Sequence, residues 1–96
     1  MTGHVVFWVD DVKDPAALEE YKRAAHPTIR TAGGKVSVAY GRSEVVEGAS
    51  MLGIVVVDFP TYEAAVSWYH SEAYQNAKAL RRDAATVRAA IVESRS

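Results

Sequence analysis

The chain contains no cysteine, only three prolines and no apolar run long enough to cross a lipid bilayer. The absence of cysteine excludes disulfides, thiol nucleophiles and thiolate metal sites. The 12 acidic and 11 basic residues are interspersed and give a formal net charge of -1, so no basic surface is available for nucleic acid or an anionic membrane. The N-terminal residues lack the basic and apolar segments of a signal peptide, and we expect a cytoplasmic protein.

The composition is that of a globular protein: 49% of the 96 residues are hydrophobic and 24% are charged. This length predicts a single domain over residues 1–96. Four segments rich in β-branched or alternating apolar residues predict strands, at residues 5–9, 35–40, 51–59 and 86–93. In the second strand, Val36, Val38 and Tyr40 are predicted to share one face. Residues 42–47 are predicted to continue it as a bent or bulged segment.

Local signals for helices occupy the segments between the predicted strands. Asp14 is a predicted N-cap and Pro15 suits the first helical position. The inner face of this helix is predicted to contain Leu18, Tyr21, Ala25, Ile29 and Ala32, with a kink at Pro27 and an end at Gly33. Thr61 and Ser71 are predicted to cap two further helices. The order β-α-β-β-α-β, with the second helix broken in two, predicts an α+β fold of ferredoxin-like topology, with a four-stranded antiparallel sheet and helices on one face.

Both faces of the predicted sheet are apolar. In the first strand, Val5, Phe7 and Val9 lie on one side and Val6 and Trp8 on the other. The helices can cover one face, and soluble monomers seldom expose an apolar patch of the size that remains. We therefore predict a homodimer in which the second face packs against its copy. The alternative is a monomer whose long hairpin or C-terminus folds over that face.

Aromatic residues on the helices are the first candidates for a ligand site. Tyr21, Trp68, Tyr69 and Tyr74 have positions from which they could line a flat pocket for a planar organic molecule, although the same spacing is typical of core residues. Arg81 shares a helical face with Tyr74, and two roles stay open for it. It could bind a carboxylate ligand, or it could pair with an internal acid such as Glu44, Glu47 or Asp58.

The three histidines are the candidates for acid–base chemistry near neutral pH. His4, His26 and His70 lack the spacing of a metal pair, so we expect no metal site. His26 and Tyr21 are the candidate catalytic residues, and His26 is also a candidate ligand-binding residue. Ser37 and Ser71 show no accompanying His–Asp pattern in the sequence, and capping explains Ser71.

Short motifs are distributed between residues 14 and 81: Asp14-Pro15, Glu20-Tyr21, Ala32-Gly33-Gly34, Asp58-Phe59-Pro60, Ala65 with Trp68-Tyr69-His70-Ser71, Tyr74-Gln75 and Arg81. Together they resemble the domain-of-unknown-function family numbered 1330. His70 departs from the family pattern, in which Asp or Asn is more usual before the serine. The resemblance implies a place in the dimeric α/β-barrel superfamily, in which two ferredoxin-like sheets pack face to face. Relatives there include cofactor-free antibiotic-biosynthesis monooxygenases, haem-degrading oxygenases, muconolactone isomerases and stress-response barrels.

Three functions are compatible with the sequence, and the family itself implies no established reaction. The first is a homodimer that binds a small planar or acidic organic molecule between sheet and helices, through Tyr21, His26, Trp68, Tyr69, Tyr74 and Arg81. The second is a cofactor-independent monooxygenase or isomerase. The third is a structural subunit whose pocket is filled by its own side chains. We expect no cofactor, no nucleic-acid partner and no association with a membrane.

Overall fold

The computed structural model describes residues 1–95, which form a four-stranded antiparallel sheet with three helices on one of its faces. The elements are β1 (Gly3–Val12), α1 (Pro15–Thr31), β2 (Lys35–Ala39), β3 (Gly53–Phe59), α2 (Tyr62–His70), α3 (Glu72–Ala79) and β4 (Ala85–Glu93). The strand order is β2-β3-β1-β4. This is the predicted ferredoxin-like topology, with the second helical segment divided into α2 and α3.

Each helix begins at the residue that the sequence predicted, because a side-chain oxygen there accepts a hydrogen bond from the first turn. Asp14 accepts from the backbone N–H of Ala17 at 3.2 Å, and Thr61 accepts from that of Ala64 at 3.0 Å. Ser71 separates α2 from α3 and accepts from the N–H of Tyr74 at 3.2 Å. Helix α1 continues through Pro27 to Thr31, and the left-handed Gly33 (φ 80°) follows directly after its C-cap residue, Ala32.

The prediction for the second strand is wrong in two respects. The pairing register of β2 against β3 shifts between Val36 and Val38, so these two residues face opposite sides of the sheet. Strand β2 then ends at Ala39, because Tyr40 (φ 64°) and Gly41 (φ 49°) adopt left-handed backbone conformations that stop the extended chain. Residues 42–47 consequently belong to an exposed loop and do not continue the strand.

The core lies between the sheet and the helices. Val5 is opposite both Val57 and Ile91 in the register, and these positions share the helix-facing side. The buried residues that form the core cluster are Val5, Phe7, Ala25, Ile29, Val57, Phe59, Ala65, Trp68, Tyr74 and Ala77. Ala32 was predicted to belong to the inner face of α1, which is wrong: it is the exposed C-cap residue, one position beyond the helix.

The opposite side of the sheet, here called the open face, has no helix from residues 1–95 on it. It consists of His4, Val6, Trp8, Asp10, Val38, Ile54, Val56, Asp58, Arg88, Ala90 and Val92. Its centre is apolar and half-buried, while Val92 at its edge is 45% exposed. The loop around residues 45–51 flanks its Trp8 end and encloses a second cavity of about 340 Å³ with Trp8 and Arg88. Within residues 1–95, no helix is long and apolar enough to span a membrane.

Candidate functional site

A cavity of about 360 Å³ separates α1 from the sheet. It exists because α2 packs directly on β1, β3 and β4, whereas α1 packs mainly on α3 and stands away from the strands. Its wall is largely aliphatic and aromatic. The lining residues of the sheet are Phe7, Val9, Val36, Ala39, Val55, Val57 and Val87, and those of the helices and loops are Leu18, Tyr21, Lys22, Ala25, His26, Ile29, Tyr40, Trp68 and Arg81.

Arg81 lines this apolar cavity with a charged side chain, and the residue is buried, with only 7% of its surface exposed. Its guanidinium group donates to the Tyr74 hydroxyl at 3.3 Å and lies 5.0 Å from the ring centre of Tyr21. None of the ion pairs among residues 1–95 includes Arg81. The predicted pairing with Glu44, Glu47 or Asp58 is therefore wrong: the two glutamates lie in the exposed loop, and Asp58 points to the open face.

The hydroxyl groups next to Arg81 do not neutralise its charge. Burial and the nearby Tyr21 raise the pKa of Tyr74 far above its ordinary value, so its hydroxyl stays neutral at physiological pH. Burial acts against the charged form of Arg81, but the interactions with Tyr74 and Tyr21 more than offset it, and the pKa of the guanidinium is raised. Arg81 is thus a permanent cation in contact with a neutral hydroxyl and two aromatic rings, those of Phe7 and Tyr21.

The tyrosines form a short hydrogen-bonded chain that leads from Arg81 into the cavity. The hydroxyls of Tyr21 and Tyr74 lie 2.8 Å apart, and their rings meet edge to face. Tyr21 lines the cavity, whereas Tyr74 is fully buried behind it. Trp68 also lines the cavity, and its indole N–H donates to the Thr28 hydroxyl at 3.0 Å.

The remaining predicted site residues divide into two groups. His26 lines the cavity from α1 and is exposed, so it lies where solvent and cavity meet. Tyr69 packs against Tyr74 with ring centres 5.3 Å apart but does not line the cavity, and it belongs to the core that supports the site. His70 is exposed at the end of α2, next to the Tyr69 ring.

Sequence reasoning missed two lining residues on the far side of the cavity from Arg81. The ammonium group of Lys22 lies 4.9 Å from the ring centre of Tyr40, which follows β2. Arg81 instead lies beside Phe7 of β1, with its guanidinium carbon 5.9 Å from the centre of that ring. Strand β3 lies between β1 and β2 in the sheet, so Arg81 and Tyr40 are on opposite sides of the cavity. The signal in the sequence was weak, because Lys22 follows the solvent-facing pattern of α1 and Tyr40 ends a strand.

A separate polar cluster lies at one end of the open face. His4 Nδ1 is 2.7 Å from an oxygen of Asp58, and His4 Nε2 is 2.5 Å from the Ser94 hydroxyl. Sequence reasoning missed the association of these three residues. No group of three or more His, Asp or Glu side chains in residues 1–95 has the arrangement of a metal site.

Solved structures with a similar fold are numerous, and their sequences differ widely from this one. A protein of unknown function from Rhodopseudomonas palustris is 20% identical, with a TM-score of 0.75 over 99% of this chain and 83% of its own. SnoaB, a cofactor-independent oxygenase from Streptomyces nogalater, is 9% identical, with a TM-score of 0.65 over 99% and 94%. A dimeric protein of unknown function and ferredoxin-like fold from Bacteroides fragilis is 8% identical, with a TM-score of 0.60 over 97% and 96%.

The comparison with known sequences gives a family but no reaction. No functionally curated protein matches the chain. One family model, the domain of unknown function DUF1330, matches residues 2–95. The motifs that carry the resemblance include residues of the candidate site. Trp68 and Arg81 line the cavity, and Ser71 and Tyr74 lie behind them and hold Arg81 in position. The chain belongs to the DUF1330 family.

Proposed function

We propose that the protein binds a small planar organic acid in the cavity between α1 and the sheet, with Arg81 as the counter-ion of its acidic group. The observation that carries this proposal is a buried guanidinium, beside an apolar cavity, that forms no ion pair with a carboxylate of residues 1–95. Guanidinium groups bind carboxylates in a bidentate geometry, and a buried charge without a partner is destabilising. A bound anion would supply that partner.

The shape of the cavity limits the ligand to about one or two fused rings. Its volume of about 360 Å³ is near the lower end of the range for small-molecule sites, roughly 300–1,000 Å³. Phe7, Tyr21 and Trp68 present aromatic surfaces to a planar molecule. Tyr21 supplies a hydroxyl for a second polar group of the ligand, next to the one that Arg81 binds.

We also propose that the protein is a homodimer through the open face. Val6, Trp8, Ile54 and Val56 form an apolar centre that no helix of residues 1–95 covers. Apolar sheet faces of soluble proteins are seldom left in water. Similar structures that are described as dimeric support the proposal. The cavity lies on the other side of the sheet, so each protomer would contain a complete cavity.

Ligand binding can be tested with benzoate, salicylate and 2-naphthoate, and with benzamide and 2-naphthamide as neutral controls of the same shape. Thermal unfolding of the wild-type protein is measured with each compound. An acid at 100 times its Kd stabilises the folded protein by about 2.7 kcal/mol, which corresponds to roughly 10 °C in a domain of this size. We expect this shift for at least one acid and a much smaller shift for its amide.

The matched variant is Arg81→Met, which keeps the length and apolar stem of the side chain and removes the charge. We expect it to lose the preference for acids over amides, whereas Arg82→Met, at an exposed neighbouring position, should keep it. Equal shifts for acids and amides with the wild-type protein, or unchanged acid binding by Arg81→Met, would contradict the proposed role of Arg81.

A second candidate function, a cofactor-independent oxygenase or isomerase, would use the same cavity. Its support is that His26 and Tyr21 both line the cavity that contains Arg81, so a proton acceptor, a hydroxyl and a cation face one ligand. Such an enzyme would convert a bound acid without added metal or flavin, and product analysis of the samples used for the binding test separates the two functions.

A further inference from the structure

Asp58, His4 and Ser94 are connected in the order that acyl-transfer enzymes use. One ring nitrogen of His4, Nδ1, lies 2.7 Å from Asp58 Oδ1, and the other, Nε2, lies 2.5 Å from Ser94 Oγ. In a neutral imidazole one nitrogen donates and the other accepts. The contacts fit the tautomer in which Nδ1–H donates to Asp58 and Nε2 accepts the Ser94 hydroxyl proton. This is the arrangement of a serine nucleophile, its base and the group that orients the base.

Strands β1 and β3 and the residue that follows β4 hold these side chains in place. His4 of β1 is directly opposite Asp58 of β3 and Val92 of β4 in the register. Ser94 lies two residues beyond Val92 and therefore on the same face, and its backbone N–H donates to the carbonyl oxygen of Thr2 at 2.8 Å. The hydroxyl is consequently fixed by the backbone on one side and by His4 on the other.

We propose that Ser94 is an activated nucleophile, with His4 as its general base and Asp58 as a positioning residue, in a second site that accepts small aryl esters. In the single chain the side chains of His4 and Asp58 are 27% and 30% exposed, so a small electrophile can reach the cluster where no second copy covers this end of the open face. The site is separate from the Arg81 cavity, because it lies on the opposite face of the sheet.

The reaction is acyl transfer followed by hydrolysis. Ser94 Oγ forms a bond to the acyl carbon while its proton moves to His4 Nε2; the bond from the acyl carbon to the aryl oxygen breaks, and the aryl oxide leaves with the electron pair and takes the proton from His4. Water then attacks the acyl-serine, its proton passes through His4 to Ser94, and the carboxylic acid departs.

The substrate class follows from the backbone at Ser94. The N–H group of this residue already donates to Thr2, so it does not stabilise a negative oxygen on the acyl group. A site that lacks this stabilisation depends on a leaving group that departs easily. This favours aryl esters over alkyl esters and amides.

The test uses 4-nitrophenyl acetate as the ester and a fluorophosphonate as a covalent probe. We expect one labelled residue per chain, located at Ser94 by peptide mass spectrometry, and release of 4-nitrophenolate. Ser94→Ala should abolish labelling, and His4→Gln should slow it by about 100-fold or more, as loss of a general base does. Asp58→Asn should slow it less and shift its pH profile. Ser67→Ala, at an exposed serine of α2, should react like the wild-type protein.

Two further measurements keep the result decisive. The shift in melting temperature with an organic acid reports the Arg81 cavity on the other face, so a variant that retains this shift is folded. Wild-type and Trp8→Asp proteins are both tested, because a second copy on the open face could block the probe. The proposal is overturned if neither protein is labelled at Ser94, or if folded His4→Gln is labelled as fast as the wild type.

Discussion

At the scale of the residue, the distinctive feature of the protein is a buried cation that no carboxylate in the described part of the chain neutralises. Arg81 lies just beyond α3, where the negative end of the helix dipole favours a positive charge. The rings of Tyr21 and Phe7 and the Tyr74 hydroxyl provide further, weaker stabilisation. These contacts hold the guanidinium group in place but leave its charge uncompensated.

Replacing Arg81 with methionine should therefore leave the ligand-free protein as stable as before, or make it more stable. Apolar replacement of buried ion pairs is often neutral or stabilising by about 1–4 kcal/mol, and the buried charge of Arg81 lacks the compensating attraction that such a pair has. We expect the free energy of unfolding of Arg81→Met, from urea titration, to be unchanged or raised by about 1 kcal/mol. Arg82→Met is the control, with a change within about 0.5 kcal/mol. A loss of several kcal/mol in Arg81→Met would indicate that Arg81 stabilises the core rather than serving a ligand.

At the scale of the element, the joint between α2 and α3 determines where Arg81 lies. Ser71 has an extended backbone (φ -65°, ψ 148°) between the two helices. Its hydroxyl donates to the carbonyl oxygen of Trp68 at 2.7 Å and accepts from the N–H of Tyr74 at 3.2 Å. One side chain thus ends α2 and begins α3, and it fixes the direction of the helix that carries Tyr74 and leads to Arg81.

Substitution of Ser71 by alanine removes both hydrogen bonds. We expect Ser71→Ala to lower the free energy of unfolding by about 1 kcal/mol, the usual effect of losing an N-cap. Affinity for an organic acid should fall as well, because Tyr74 and Arg81 lose part of their support. Ser71→Thr keeps the hydroxyl and should retain most of the stability and affinity. If alanine and threonine variants behave alike in urea titration, the cap is not what stabilises the joint.

At the scale of the whole molecule, the sheet separates two different environments. The helices and the Arg81 cavity occupy one face. On the open face, Trp8 lies beside an ion pair between Arg88 and Asp10, with 3.1 Å between Arg88 Nε and Asp10 Oδ2. Valines at both edges of the open face, Val38 and Val92, are 41% and 45% exposed. An apolar surface of this kind is typical of an interface.

The substitution Trp8→Asp places a charge among the apolar residues of the open face. We expect the wild-type protein to sediment as a dimer and Trp8→Asp as a destabilised monomer, because an unpaired charge at an apolar interface strongly disfavours association. Leu80→Asp is the control: Leu80 is 43% exposed on the helical side, and this variant should remain a dimer. A monomeric wild-type protein would exclude the dimer, and a dimeric Trp8→Asp would place the interface elsewhere.

Local chemistry made the elements of this protein predictable from its sequence. Runs of β-branched, aromatic or alternating apolar residues identified the four strands. Asp14, Thr61 and Ser71 marked the helix starts, because a cap bonds to a residue only three positions away. The two apolar faces of β1 were likewise visible, since adjacent side chains in a regular strand point to opposite sides. The motif set that ends at Arg81 indicated the family.

Tertiary structure decided the features that depend on distant partners. The register of β2 shifts after Val36, and Arg81 does not pair with Glu44, Glu47 or Asp58, the acids that the sequence suggested for it. The contacts of His4 with Asp58 and Ser94 join residues that are brought together only when the sheet forms. His4 is 54 positions from Asp58 and 90 from Ser94. Contacts over such separations depend on strand order and register, because moving one strand by a single residue turns each of its side chains to the other face.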